Sequence, residues 1–397
     1  MRPEIIEKQK KAMAEHGLDA IVSVSPENFA YVTGFVVPSQ PLIRHRHAFA
    51  VVTADGGVSL VGVDMEAGTI RRRAPDTPLR VWAEFSDDAM TVLAEELRAR
   101  GLARAHIGLE MDYLPAGDFA RLRAALPDAA FTRAENVLAR LRQIKTAEEI
   151  ALLRRLSRIA DQAITDALAA VDAGDTEMDI AGHLTRNVYA LGAEHFKLMI
   201  VATGERSMLP NVGPSERVLR HGDVCRVEIF SVIGGYQAGV CRTAFVGEAP
   251  PHAGRIWSHL VECKYEIMNM VKPGASCRAI YDAFCAKLAQ LDLPPISFVG
   301  HGIGLHLHED PYLGTTPILG APGSDAVIEE NMVLGFEPLC YDTGHGFGMQ
   351  NKDMLLVTAT GSELLSDYAD TDALIRTGTA RAGNAAGRED AARAAVA

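Results

Sequence analysis

Cysteine is scarce and one-sided in this 397-residue chain: there are six, all between positions 225 and 340, with no Cys-x-x-Cys pair. That distribution excludes a disulfide framework and a zinc knuckle, and it reads as reduced thiols. Long apolar runs are missing, so no membrane span is expected. Residues 1–8 have no apolar run behind their positive charge and no small-residue cleavage site. They read as an amphipathic helix rather than a signal peptide, and a cytoplasmic location follows by default. A basic excess is missing too. With 39 Lys and Arg against 51 Asp and Glu, the formal net charge is -12, which argues against nucleic acid because phosphate binding needs a basic face. The runs Arg71-Arg72-Arg73 and Arg44-His45-Arg46-His47 are short. What remains is an ordinary globular composition, 48% hydrophobic and 23% charged, in a chain too long for one core, so two domains are expected.

The first domain, residues 1–142, alternates two periodicities. Helical spacing over 3–17, 88–100 and 116–125, with strand patterns at 20–24, 48–52, 58–61 and 105–109, predicts an α/β domain with helices against a mixed or parallel sheet. The second, residues 143–376, opens on a capping box, Thr146-Ala147-Glu148-Glu149, ahead of an apolar stripe from Ile150 to Leu168, so a long helix begins it. Helices at 178–191, 253–271 and 277–291, a hairpin of 224–232 and 236–246 turning at Gly234-Gly235, and closing strands at 332–340 and 354–359 point to an α+β domain. Residues 377–397 show no apolar periodicity and read as a disordered tail. No internal repeat is visible at a scale of about 20 to 50 residues.

Residues 301–311 read His-Gly-Ile-Gly-Leu-His-Leu-His-Glu-Asp-Pro, directly after an apolar run. Three imidazoles among glycines, with two carboxylates beside them, suggest the floor of a polar pocket. In an extended stretch His306 would point away from its neighbours.

Several motifs together resemble the creatinase, prolidase and aminopeptidase P family. They are Asn28-Phe29-Ala30-Tyr31-Val32-Thr33-Gly34-Phe35, Ile144-Lys145-Thr146-Ala147-Glu148-Glu149-Ile150, Gly222-Asp223-Val224, Gly235-Tyr236, Cys241-Arg242-Thr243-Ala244-Phe245-Val246-Gly247, Gly300-His301-Gly302-Ile303-Gly304 and Phe336-Glu337-Pro338. The resemblance implies a creatinase-like N-terminal domain, a pita-bread catalytic domain, a hydrolase and a homodimer. The family's metallopeptidases hold two divalent ions with Asp, Asp, His, Glu and Glu. On this chain those positions fall on Glu228, Gly239, His301, Glu337 and Lys352. Gly239 offers no ligand, and Lys352 puts a positive charge where a bridging carboxylate is needed. At roughly 4 Å and an effective dielectric near 20, that is on the order of 4 kcal/mol of repulsion per unit charge. No metal cofactor is therefore expected. A single ion on Glu228, His301 and Glu337 is the alternative, and Lys352 opposes it as well.

The expectation is that the Lys352 ammonium replaces the metal charge and pairs with Glu337 and Glu228, as in the metal-free, creatinase-like branch of the family. The resemblance also implies that Glu337 faces a substrate cation and that Arg46 binds a substrate carboxylate, a role suited to a planar fork. Where the family has a histidine this chain has Asn211, which cannot be a general base but can hydrogen-bond a substrate. His301, His308 and His195 remain candidate bases. His345 is expected at the pocket rim, and Cys241 could be a nucleophile if Lys352 or a histidine lowers its thiol pKa. The reading is a metal-independent hydrolase of a carbon-nitrogen bond in a small, carboxylate-bearing, amino-acid-like substrate. The alternatives are an Xaa-Pro-type metallopeptidase with a reduced metal site, and a non-catalytic small-molecule-binding protein. A lyase is weaker still.

Overall fold

A computed structural model describes residues 1–315 and 325–380, and the chain divides into two units between Arg142 and Gln143. The first unit is built on six strands: β1 (Ala20–Ser23), β2 (Phe49–Thr53), β3 (Val58–Val63), β4 (Leu79–Trp82), β5 (His106–Leu109) and β6 (Ala130–Arg133). They form one mixed sheet in the order β4-β3-β2-β1-β5-β6. Ala20 and Val22 pack in one core and Ile21 in another, so both faces of β1 are covered and its first three residues are all apolar. The expected strands are present. The two absent from the sequence pattern are β4 and β6, the sheet edges, whose residues are mostly half-buried or exposed and so lack an apolar signature. The conspicuous Asn28 has a structural task. The Glu110 carboxylate accepts bonds from its amide and from the Val24 and Ser25 backbone N–H groups, which fixes the start of helix Pro26–Thr33.

In the second unit, Thr146 and Glu149 form the expected capping box on helix Ala147–Ala170. Two sheets follow. The first, in the order β17-β9-β8-β7, contains β7 (His195–Thr203), β8 (Val224–Ile233) and β9 (Tyr236–Phe245). The second, in the order β11-β10-β12-β15-β16, uses β10 (Phe298–Gly302), β11 (Glu309–Gly314), β12 (Val333–Phe336), β15 (Asp353–Val357) and β16 (Ser362–Leu364). Between β12 and β15 lies the short pair β13 (Leu339–Cys340) and β14 (Met349–Gln350), and β17 (Ile375–Arg376) closes the first sheet. The expected strand at 332–340 is thus two strands interrupted at Glu337-Pro338, because Pro338 has no N–H for a ladder.

The unit holds a diverged repeat that the sequence scan did not see. Val171 and Gly174 precede helix Glu177–Ala190, capped by Thr176, as Val271 and Gly274 precede helix Cys277–Ala289, capped by Ser276. Both caps bridge a distant valine, Val218 or Val327. The expected tail begins too early. Thr377 and Gly378 donate backbone bonds to Phe245 and Leu168, while 381–397 lie outside the described residues. Among the described residues no helix is long and apolar enough to cross a membrane.

Candidate active site

The site is assembled by strand register. In the β8–β9 hairpin, Arg226, Glu228 and Phe230 face Thr243, Cys241 and Gly239 respectively. The two-residue period puts all six on one face of the sheet. Lys352 joins them through a bridge to Cys241, with backbone N–H to O distances of 3.1 and 3.2 Å in the two directions. In the other sheet His301 lies opposite Gly335 of β12 and Tyr312 of β11. Glu337 donates its backbone N–H to Val299 at 2.7 Å. A Cβ at Gly335 would sit 3.1 Å from His301 Cε1 and 3.4 Å from Lys352 Cε, so this glycine is what lets those side chains close on one another.

Lys352 Nζ lies 2.6 Å from Glu337 Oε1 and 2.9 Å from Glu228 Oε1, with the Phe230 ring centroid 4.5 Å away. Glu337 Oε1 also meets His301 Nε2 at 2.9 Å, and Oε2 accepts from Gln350 Nε2 at 3.1 Å. The other His301 nitrogen faces the Gly302 carbonyl at 2.8 Å. Gln350 Oε1 accepts from Arg226 Nη1 at 3.0 Å. All of these side chains are buried. Burial alone would lower the lysine, yet the two carboxylates outweigh it and raise Lys352 above its ordinary value. Burial alone would raise Glu337, yet the Lys352 ammonium and the His301 bond hold it well below the carboxylate range. Lys352 is therefore a fixed ammonium and Glu337 its fixed counter-ion. Glu228 Oε2, by contrast, has no hydrogen-bond partner among the described residues.

A second buried set supports the first. Arg242 spans Asp161 at 2.8 Å and Asp353 at 2.9 Å, Lys264 reaches Asp353 at 2.7 Å, and Arg242 Nη1 donates to the Lys352 carbonyl at 2.8 Å. The backbone that carries Lys352 is pinned from behind.

These residues do not fit the family's two-metal centre. Glu228, Glu337 and His301 are gathered as the resemblance implied, but an ammonium sits among them. A Cβ at Gly239 would lie 2.2 Å from Phe230 Cε1, so the ring fills the space a ligand side chain would need. Among the described residues no group of three or more His, Cys, Asp or Glu could hold a metal ion.

The other expected residues divide. His308 stacks on His301 with centroids 3.8 Å apart. Burial first, then its neighbour His301, push it down to about 3, so it is neutral and a poor general base. The expectation of an activated thiol at Cys241 is reversed: burial and then Glu228 push it up, because desolvation outweighs the nearby cations. Glu337 is spent on Lys352, His301 and Gln350, which counts against its holding a substrate cation. Asn211 is exposed, on a loop whose Leu209 and Pro210 carbonyls accept from Arg226. His195 is exposed and pairs with Val232, four residues and thus ~13 Å along the strand from Glu228. His345 is exposed and stacks on His252 at 4.2 Å. Arg46 lies in the first unit, its fork held by Glu84 at 2.8 and 2.9 Å. Residues 303–308 form a turn between β10 and β11, so the alternation assumed for His306 does not apply.

Sequence reasoning missed Phe230, Gln350, Arg226 and Tyr312. For the first three the signal was there: polar or bulky residues two apart, in register with Glu228 or Lys352.

A model of metallopeptidase family M24 matches residues 151–359, and one of the creatinase/prolidase N-terminal domain matches residues 5–144. The probable dipeptidase PepE of Mycobacterium tuberculosis is 28% identical over 357 residues, 88% of this chain and 90% of that protein. Creatinase of a Bacillus species is 25% identical over 373 residues, 90% and 89% of the two chains. The solved Xaa-Pro dipeptidase from Bacillus anthracis superposes with a TM-score of 0.79 at 25% identity, covering 94% of this chain and 99% of that one.

Proposed function

The chain belongs to metallopeptidase family M24, a family of hydrolases, and from that premise we propose that it cleaves a carbon-nitrogen bond in a small, carboxylate-bearing, amino-acid-like substrate without a metal ion. The observation that carries this reading is the Lys352 ammonium between Glu228 and Glu337, with Phe230 over Gly239. A fixed cation at a buried site supplies positive potential where developing negative charge needs it. Glu228 Oε2 takes a proton from water as the water oxygen bonds to the carbonyl carbon. The carbon-nitrogen bond then breaks, and the proton passes to the leaving nitrogen.

The test is turnover of a panel of N-acyl amino acids, cyclic amidines and Xaa-Pro dipeptides by protein stripped with a chelator. Undiminished turnover is expected, and elemental analysis should find no stoichiometric divalent metal. Loss of turnover on chelation with recovery on adding Mn²⁺ would replace this reading by a metallopeptidase with a reduced site. The mutual saturation of Lys352, Glu337 and His301 also suits a binding protein, for which the panel would give no turnover but ligand-dependent thermal stabilisation.

The reading includes a homodimer and assigns the substrate carboxylate to Arg46. Although Glu84 holds the fork when no substrate is bound, the assignment predicts that Arg46→Lys raises KM about tenfold with little change in kcat, since the ammonium cannot bind a carboxylate bidentately. An unchanged KM would remove Arg46 from the site.

A further inference from the structure

His308 is the imidazole of this site that does not touch a carboxylate. Its ring lies flat on His301, 3.8 Å between centroids and 19° between planes, with the edge of Phe298 at 5.8 Å. Its Nδ1 meets the Tyr312 hydroxyl. Tyr312 is there because β11 pairs with β10 so that Tyr312 stands opposite His301, while His308 closes the turn one residue before β11 begins. Stack, strand register and hydrogen bond thus fix the ring in one orientation. Among the described residues no protein group is hydrogen-bonded to its other nitrogen, Nε2, and His308 is only half-buried.

A neutral imidazole has one donor and one acceptor nitrogen, and its hydrogen-bond partners choose between the two tautomers. A phenol facing an unprotonated ring nitrogen donates to it. Both groups keep the form this needs: burial, then Glu337 and Asp310, push Tyr312 up to about 12, while burial and His301 push His308 down to about 3. The proton between them stays on the phenol oxygen.

We propose that Tyr312 is a positioning residue that holds His308 in its Nε2–H tautomer, so that the site offers the ligand an uncharged N–H donor aimed at an acceptor oxygen. This complements the cluster beside it. Lys352 and His301 are engaged by carboxylates, whereas His308 Nε2 is left for the ligand. An acceptor such as a carbonyl, carboxylate or ether oxygen suits that atom, and an ammonium does not.

The tautomer can be read without substrate or metal, from the ring nitrogen resonances of ¹⁵N-histidine-labelled protein at neutral pH, with His308→Gln identifying the signals. The expected spectrum has a protonated Nε2 and a bare Nδ1. In Tyr312→Phe, which keeps the ring and removes only the hydroxyl, a mixture of tautomers is expected, with thermal unfolding close to wild type. Where the panel yields a substrate, kcat should fall about tenfold with a smaller change in KM. A wild-type Nδ1–H signal, or a tautomer unaffected by Tyr312→Phe, would overturn the assignment. An inactive panel with the expected spectra would count against the hydrolase reading alone and leave the tautomer assignment standing.

Discussion

Lys352→Met is expected to destabilise the second unit by about 3–5 kcal/mol and to abolish turnover, because it removes one partner from a buried ion cluster and keeps the other charges in place. Methionine nearly matches the volume of the lysine stem, so the loss is electrostatic rather than a packing defect. Glu228 and Glu337, both within 3 Å of the missing ammonium, would be left facing each other in a dry site, with His301 and Gln350 as the remaining partners of Glu337.

The pH dependence separates this account from a general loss of packing. In the wild type Glu337 is held below the carboxylate range, so its contribution is present above the ordinary glutamate value near 4.3 and is lost as the pH falls through the lowered one. Lys352 is raised, so its contribution is present below the ordinary lysine value near 10.4 and is lost as the pH rises through the raised one. Between those limits the pair gives a plateau. In Lys352→Met the balance at the carboxylates shifts: burial raises carboxyls that the Lys352 ammonium no longer opposes, and the deficit should shrink as the pH is lowered and a proton is taken up. Urea midpoints at pH 5 and pH 8 measure this. A Lys352→Met protein with the wild-type midpoint at both would sink the account. Lys352→Met combined with Glu228→Gln should recover part of the loss.

Gly239→Asp is the second large effect, and it runs against the intuition that restoring a family ligand restores a metal site. Phe230 is 1% exposed, and its ring atoms lie 2.2 to 2.6 Å from where the new Cβ would be, so the ring or the strand must move. Overpacking of this kind typically costs about 1–3 kcal/mol, and burying a further carboxylate adds to it. Gly239→Asp with Lys352→Glu should still show no thermal stabilisation by Mn²⁺. The same pair with Phe230→Ala should be stabilised by several degrees, since the ring that fills the ligand's place is gone. Mn²⁺ stabilisation of the pair with Phe230 intact would show that the ring is no barrier.

The limits of the sequence follow from where the deciding contacts lie. Strands covered on both faces, such as β1 and the β8–β9 hairpin, announced themselves through apolar runs and the Gly234-Gly235 turn, while edge strands β4 and β6 did not. Glu228, His301, Glu337 and Lys352 could be marked because each stands in a recognisable motif. The pairing of Lys352 with Glu228 and Glu337 was expected and is present, but the bonds of His301 and Gln350 to Glu337 were not, because they are set by the register of distant strands. Cys241 shows the same limit. Beside Arg242 and near Lys352 its thiol looked electropositive, but desolvation dominates at full burial and reverses the sign.

The sequence by itself determined the family, the two-part architecture and the loss of two metal-ligand types at Gly239 and Lys352, since these are properties of residue identity and local pattern. Only the tertiary structure decided that Phe230 covers Gly239, that His301 and Gln350 join Lys352 on Glu337 and that His308 is stacked on His301 with Tyr312 on its Nδ1. Register and burial arise from contacts between distant strands, and they set which charges meet and how strongly water is excluded from them.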